Sequence, residues 1–164
     1  MEKIYETAYA KINLGLDVLG KRSDGYHEVR MVMQSVGLSD AVEIEEGEGL
    51  VVETDHSGLA GGPDNLAWKA AELLACCCGK IPNVHIRLNK KIFLAAGLAG
   101  GSSDAAAVMR GLSRLWQLDL TAPELEKLAA ELGSDIPFCI TGGTALAEGR
   151  GEILTELPEA PELL

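Results

Sequence analysis

The chain has 164 residues, 47% hydrophobic and 24% charged, which is the length of one ordinary domain with a real core. At about 150 residues a domain buries roughly 68–70% of its unfolded surface, so neither disulfides nor a structural metal is needed for stability; 19 glycines and 6 prolines are also too few for a collagen-like or low-complexity chain. The net charge of −11, from 14 Lys+Arg against 25 Asp+Glu, argues against a nucleic-acid binder, whose affinity rests on a broad basic face. An acidic chain that binds phosphates must do so with a few placed cations and backbone N–H groups, because its general field repels a polyanion.

The opening MEKIYETAYAKINLGL lacks the basic segment and continuous apolar run of a secretory signal. The longest apolar stretch, Phe93 to Ala99, is interrupted by glycine and far short of the roughly 20 residues that span a bilayer. A cytoplasmic protein without a membrane partner is expected. Cys76, Cys77 and Cys78 are consecutive and Cys139 is remote, which is neither metal spacing nor a disulfide framework, so they are expected as small apolar fillers on or near a buried helix. His27, His56 and His85 are too scattered to suggest a metal cluster.

From Ile4 to Glu53 the apolar residues come at strand spacing, rich in Val and Ile, with turns at Lys21–Gly25 and Glu46–Gly49. Asp40 to Glu45 alternates polar with apolar, as a half-buried strand does. After Gly61-Gly62-Pro63 the period lengthens. Asp64-Asn65 can cap a helix whose apolar positions, from Leu66 to Cys77, recur at three and four and end near Gly79. Val84 to Leu88 alternates again as a strand and runs through Lys90-Lys91 into a glycine-rich stretch. Ser102 or Ser103 is a natural N-cap for a second helix, Asp104 to about Trp116; Thr121-Ala122-Pro123-Glu124 opens a third that should stop at Gly133. Thr144–Ala147 and Ile153–Leu157 can pair as a hairpin around Glu148–Gly151, and Pro158 to Leu164 form no obvious element. Strands first, then helices mixed with strands, predict an α+β domain with helices on a mostly antiparallel sheet.

The chemistry concentrates in Phe93-Leu94-Ala95-Ala96-Gly97-Leu98-Ala99-Gly100-Gly101-Ser102-Ser103, a small-residue loop between a strand and a helix. Glycine lets backbone approach a phosphate closely, and the open N–H groups at a helix start carry about half a positive charge. The serine hydroxyls can donate to phosphate oxygens or ligate magnesium, with Ser103 the candidate ligand. No Lys follows Gly101, so this is not a Walker A loop, and Gly97-x-x-Gly100-Gly101 after an antiparallel region is not a dinucleotide fingerprint. Strand alternation sends Lys11 and Asn13 to one side, Asp24–Glu28 is a turn followed by an aromatic and a histidine, and Asp135 stands between a helix end and an apolar run.

In this order the segments resemble the GHMP kinase superfamily over nearly the whole chain: A-K-I-N-L-G-L from Ala10, D-G-Y-H-E from Asp24, G-L-A-G-G-S-S-D-A-A from Gly97, G-S-D-I-P-F from Gly133 and G-G-T-A-L-A-E-G-R-G-E from Gly142. D-G-Y-H-E and G-S-D-I-P-F point to the branch that phosphorylates the 2-hydroxyl of a cytidyl diphosphate sugar alcohol on the non-mevalonate isoprenoid route. The resemblance implies the fold of ribosomal protein S5 domain 2-like proteins, ATP as co-substrate and Mg2+ as cofactor. It implies Asp135 as the base, with Lys11 beside it to favour the carboxylate and to stabilise charge as the phosphoryl group moves. It also implies Asn65 and Lys90 by the adenine, Asn13 on the substrate side, Tyr26 and His27 on the cytosine, and Arg150 toward the substrate's diphosphate or cytosine.

Two departures from the family pattern stand out. Family loops usually begin with Pro where this chain has Phe93. Family members also continue into a second domain of comparable size, so residues 1–157 are expected to be the N-terminal catalytic domain and 158–164 a tail or the start of the second. The alternatives are a truncated, non-catalytic nucleotide-binding module prone to self-association, and a kinase of the superfamily acting on another small alcohol.

Overall fold

In the computed structural model, which describes residues 3–158, the Val- and Ile-rich N-terminal third folds as a long hairpin. β1 (Lys3–Lys21) runs antiparallel to β2 (His27–Glu46), and Asp24 closes the turn by accepting from the Tyr26 N–H at 3.1 Å. β3 (Leu50–Thr54) follows the second expected turn. Of the tail beginning at Pro158, residues 159–164 lie outside the described residues.

β2 is shared by two half-sheets. Its residues 41–45 pair both with β1 and with β4 (Val84–Asn89), and its residues 29–34 pair both with β1 and with β5 (Thr144–Gly149). β4 and β5 therefore lie end to end along the edge of β2 opposite β1. β3 extends the first half-sheet in parallel, and β6 (Ile153–Glu156) extends the second, giving the order β3-β4-β2-β5-β6 with β1 on β2. All the pairings but β3 with β4 are antiparallel, which is the mostly antiparallel sheet expected.

Helices cover one face. α1 (Leu66–Cys77) starts as expected, with the Asn65 side chain accepting from the Ala67 N–H at 2.9 Å. α2 (Gly100–Leu115) starts earlier than Asp104: Ala99 is left-handed (φ 57°) and turns the chain directly into the helix, so Ser102 and Ser103 fall in its first turn and neither caps it. α3 (Ala122–Ala129) has the capping box of Thr121 and Glu124 but ends before Gly133, because the winding tightens into three-residue turns from Leu128 onward. α4 (Ile136–Thr141) is a helix that the sequence reading leaves out; Pro137 at its second position costs no hydrogen bond.

The main core lies between the first half-sheet and α1 and α2, with Val42, Ile44, Leu74, Ile86, Leu88, Met109 and Leu112 buried. A side chain at Gly111 would meet the Ile44 Cδ1 at 2.5 Å, so glycine here lets α2 lie directly on the sheet. A smaller cluster of Met31, Met33, Phe138, Ala145 and Ala147 fixes α4 against the second half-sheet. The cysteine expectation fails for two residues: Cys76 and Cys77 are exposed, because the buried stripe of α1 runs through Ala67, Ala70, Ala71, Leu74 and Ala75 and leaves them on its solvent side. No helix among the described residues is long and apolar enough to cross a membrane.

Candidate active site

Pairing between β1 and β2 slips between Tyr9 and Lys11, where their partners jump from Ser39 to Ser35. This irregularity breaks the alternation, so Ala10 and Lys11 are buried in succession. The Lys11 ammonium is thereby turned inward, 3.4 Å from Asp135 Oδ2 and 3.3 Å from Asn13 Oδ1. Asp135 is the residue before α4 and its carboxylate caps nothing, which leaves it free to face the lysine. Phe138, fully buried one turn later, holds α4 and with it Asp135 in place.

These residues line an open cleft of about 470 Å³ with Phe93, Ala95 to Ala99, Gly100, Gly101, Ser102 and Leu66. Along the loop Ala95 (φ 55°), Gly97 (φ 75°) and Ala99 (φ 57°) are left-handed, whereas Ala96, Leu98 and Gly100 are not. Alternation of hand along a chain aims successive N–H groups into one concavity, a nest that favours anions. The uncapped start of α2 adds its own free N–H groups to the same cleft. Leu98 O accepts from the Lys11 N–H at 3.1 Å, so the nest is fastened to the strand that carries the lysine.

The predicted residues do not all face this cleft. Ser102 lines it, but Ser103 is buried and its hydroxyl donates to the Tyr9 carbonyl, so Ser103 as it stands is not positioned as a magnesium ligand. Asn65 uses its side chain to cap α1 and to donate to Ala60 O at 2.8 Å. Lys90 is turned away as well: its ammonium is buried between the carboxylates of Asp40 and Asp104, 2.5 Å from the latter. Burial pushes the Asp104 carboxyl up to about 7, against the opposing pull of Lys90. Asp40 and Asp104 are the residues that sequence reasoning missed. A signal existed for Asp40, which shares strand parity with the buried Val42 and Ile44 and so points a carboxylate into the core.

Tyr26 is exposed at the hairpin turn, and the Arg150 guanidinium lies over its ring, 4.9 Å from the centroid. Glu152 holds Arg150 there, accepting from its backbone N–H at 2.6 Å. His27 is exposed beside Tyr26 and pairs with Lys21. A side chain at Gly151 (φ 115°) would come 3.8 Å from Ser134 Cβ, so the Arg150 turn abuts the residue before Asp135. Tyr26, His27 and Arg150 do not line the cleft itself, which Lys11 and Asp135 do. Burial pushes the nearby Cys139 thiol up to about 11, which keeps it protonated and unreactive. A larger concavity of about 550 Å³ lies on the open face of the sheet, but Glu6, Glu43, Glu53 and Asp55 line it, and its Arg87 is already paired with Glu43. Such walls repel a polyphosphate. Among the described residues no three His, Cys, Asp or Glu side chains group as a metal site.

A two-lobed sheet whose anion nest leads into a helix start defines the class of protein as an α+β phosphate-binding domain. Residues 65–143 match the family described as GHMP kinases N terminal domain. Among curated proteins it is 50% identical over 159 residues to a 4-diphosphocytidyl-2-C-methyl-D-erythritol kinase of Caldanaerobacter subterraneus, covering 97% of this chain and 55% of that protein. It is 54% identical over 153 residues to the protein of that name from Synechococcus, covering 93% and 50%. The chain therefore spans about half the length of the curated relatives it matches. A crystal structure of 4-(cytidine 5'-diphospho)-2C-methyl-D-erythritol kinase superposes with a TM-score of 0.80 at 39% identity, over 94% of this chain and 55% of that one. A homoserine kinase from Cytophaga hutchinsonii shares the fold at a TM-score of 0.74 and 18% identity, over 96% and 52%.

Proposed function

We propose that this chain is the nucleotide-binding and base-bearing half of an ATP-dependent kinase. Its acceptor is the 2-hydroxyl of 4-diphosphocytidyl-2-C-methyl-D-erythritol, in isoprenoid precursor synthesis in the cytoplasm. Residues 1–157 are assigned to the N-terminal domain and 158 onward to the passage into a second. The observation that carries the reading is the pairing of Lys11 with Asp135 at 3.4 Å in the cleft lined by the alternating-hand loop.

Phosphoryl transfer asks mainly for positioning and charge stabilisation. The nest and the start of α2 hold the phosphates, with the adenine assigned to the side of Asn65. The acceptor hydroxyl oxygen bonds to the γ-phosphorus, its proton passes to Asp135, and the bond from that phosphorus to the bridging oxygen breaks to release ADP. Lys11 offsets the charge that accumulates at the transfer point. Tyr26 and His27 are assigned to the cytosine, Asn13 and Arg150 to the rest of the acceptor. Ser102 and Asp135, which line the cleft, carry the hard oxygen groups that suit Mg2+, an ion that takes most of its ligands from phosphate and water. When bound, that ion neutralises charge on the transferring phosphates.

The test is ADP release by this chain with the cytidyl acceptor, alone and as Asp135→Asn. The variant is expected to keep its circular dichroism spectrum and lose about a hundredfold or more in turnover. Full activity in the variant removes Asp135 as the base, and turnover of homoserine, mevalonate or galactose in place of the cytidyl acceptor overturns the substrate assignment. MgADP binding without any turnover leaves the chain a nucleotide-binding module.

A further inference from the structure

Beneath the loop lies a charged cluster that the reaction does not use. The Lys90 ammonium bridges Asp40 Oδ2 and Asp104 Oδ2, and the three side chains are at most 2% exposed. The second oxygen of Asp40 accepts from the N–H groups of Lys91 and Ile92, the latter at 2.8 Å. These are the residues from which the loop departs. Asp104 sits one turn into α2, where the loop ends. A side chain at Gly100 would lie 3.0 Å from Ile92 and 3.5 Å from the Lys90 ammonium, so the two ends of the loop meet over the cluster.

Ions removed from water are costly unless paired and hydrogen-bonded, and this cluster is only partly satisfied. It holds two carboxylates against one ammonium, and Asp104 Oδ1 is buried without a hydrogen-bond partner. A hydrophobic filler would serve stability at least as well. What a filler would not do is fix three backbone points, in β2, before the loop and after it, by directional bonds.

We infer that Asp40, Lys90 and Asp104 form an internal anchor that sets the phosphate loop for nucleotide, with Lys90 a positioning residue acting through the loop backbone and not a ligand of the nucleotide. The inference deepens the nucleotide-binding reading above and rests on it. A loop with left-handed alanines needs its ends held, because each such residue relaxes if either end is released.

The test compares the unaltered chain with Asp104→Ala, Asp104→Asn, Lys90→Met and the double variant Lys90→Met/Asp104→Ala. Amide hydrogen exchange over residues 92–103 is measured without nucleotide, and MgADP affinity is measured by calorimetry. Asp104→Ala is expected to speed exchange in the loop, with the amides of β2 and β4 unchanged, and to weaken MgADP about tenfold. Asp104→Asn, which still bonds the ammonium, restores most of both. Lys90→Met adds little further loss once Asp104 is Ala. A full additional loss in the double variant makes Lys90 a direct ligand and overturns the proposal. Loop exchange unchanged by Asp104→Ala overturns the anchor, and this comparison stands even if the lysine variants fail to fold. Failure of the unaltered chain to bind MgADP sinks the nucleotide reading instead, and the exchange result then judges the anchor alone.

Discussion

Ala99 holds a left-handed backbone at φ 57°, a conformation that costs an L-residue about 1–2 kcal/mol and glycine almost nothing. It is also the N-cap of α2, where glycine outranks alanine. Ala99→Gly is therefore expected to raise stability by about 0.5–1 kcal/mol after the added unfolded-state entropy is subtracted; an unchanged or lowered denaturant midpoint would count against strain at this point. Asp104 sets a second expectation. Its folded carboxyl is raised from 3.8 to about 7, so the folded chain holds a proton that the unfolded chain has lost. Its favourable contribution is full below the unfolded value and disappears as pH rises through about 7. The thermal midpoint of Asp104→Asn relative to the unaltered chain should thus rise between pH 4 and pH 8; a pH-independent difference would contradict the shift. At this scale the pairing of Lys11 with Asp135 was expected from motif resemblance, whereas the inward turn of Lys90 was not, because residue type alone does not tell a buried ammonium from a free one.

Elements join through the outer edge of β1. Arg114 donates to Tyr5 O, Arg110 to Thr7 O and Ser103 to Tyr9 O, while Leu98 O takes the Lys11 N–H. Every second residue from Tyr5 to Lys11 is thus occupied by a helix side chain or the loop, which blunts an edge that another strand would otherwise pair with. Arg110 also donates to the carbonyls of Cys139 at 2.7 Å and Ile140 at 3.3 Å, tying the end of α4 to β1. Arg110→Ala should cost about 2 kcal/mol, since it leaves partly buried carbonyls without donors. It should also loosen α4, seen as faster amide exchange there and a fall in turnover with Asp135 displaced. Loss of stability with α4 exchange unaltered would show that Arg110 does not hold the helix. α4 itself was not legible: six residues between two short turns carry too little periodicity, and its stability comes from Phe138 entering the second core.

The whole molecule is asymmetric about its hairpin. From Tyr5 to Lys11 the backbone edge of β1 is occupied, but further out Leu14, Leu16, Val18 and Leu19 are about half exposed. Apolar residues at that density beside an uncovered strand edge invite association. The 164-residue chain is expected to self-associate with rising concentration in sedimentation velocity, and the double variant Leu16→Lys/Val18→Lys to shift it toward monomer. A monomer at every concentration tested would remove the arm as an adhesive surface. The acidic balance of −11 acts at the same scale. On the proposed reading it leaves phosphate binding to local devices: Lys11, the loop N–H groups and the start of α2.

By itself the sequence determined the strand-first α+β order, the hairpin turns, the caps of α1 and α3, and the family resemblance that its motifs carry. These follow from short-range periodicity, turn residues and spacing, which are written locally. The tertiary structure alone decided which serine lines the cleft, Ser102 and not Ser103, and which cation does, Lys11 and not Lys90. Those outcomes depend on a slip in strand register, on left-handed alanines and on two buried aspartates distant in the chain, all set by long-range packing that no local pattern encodes.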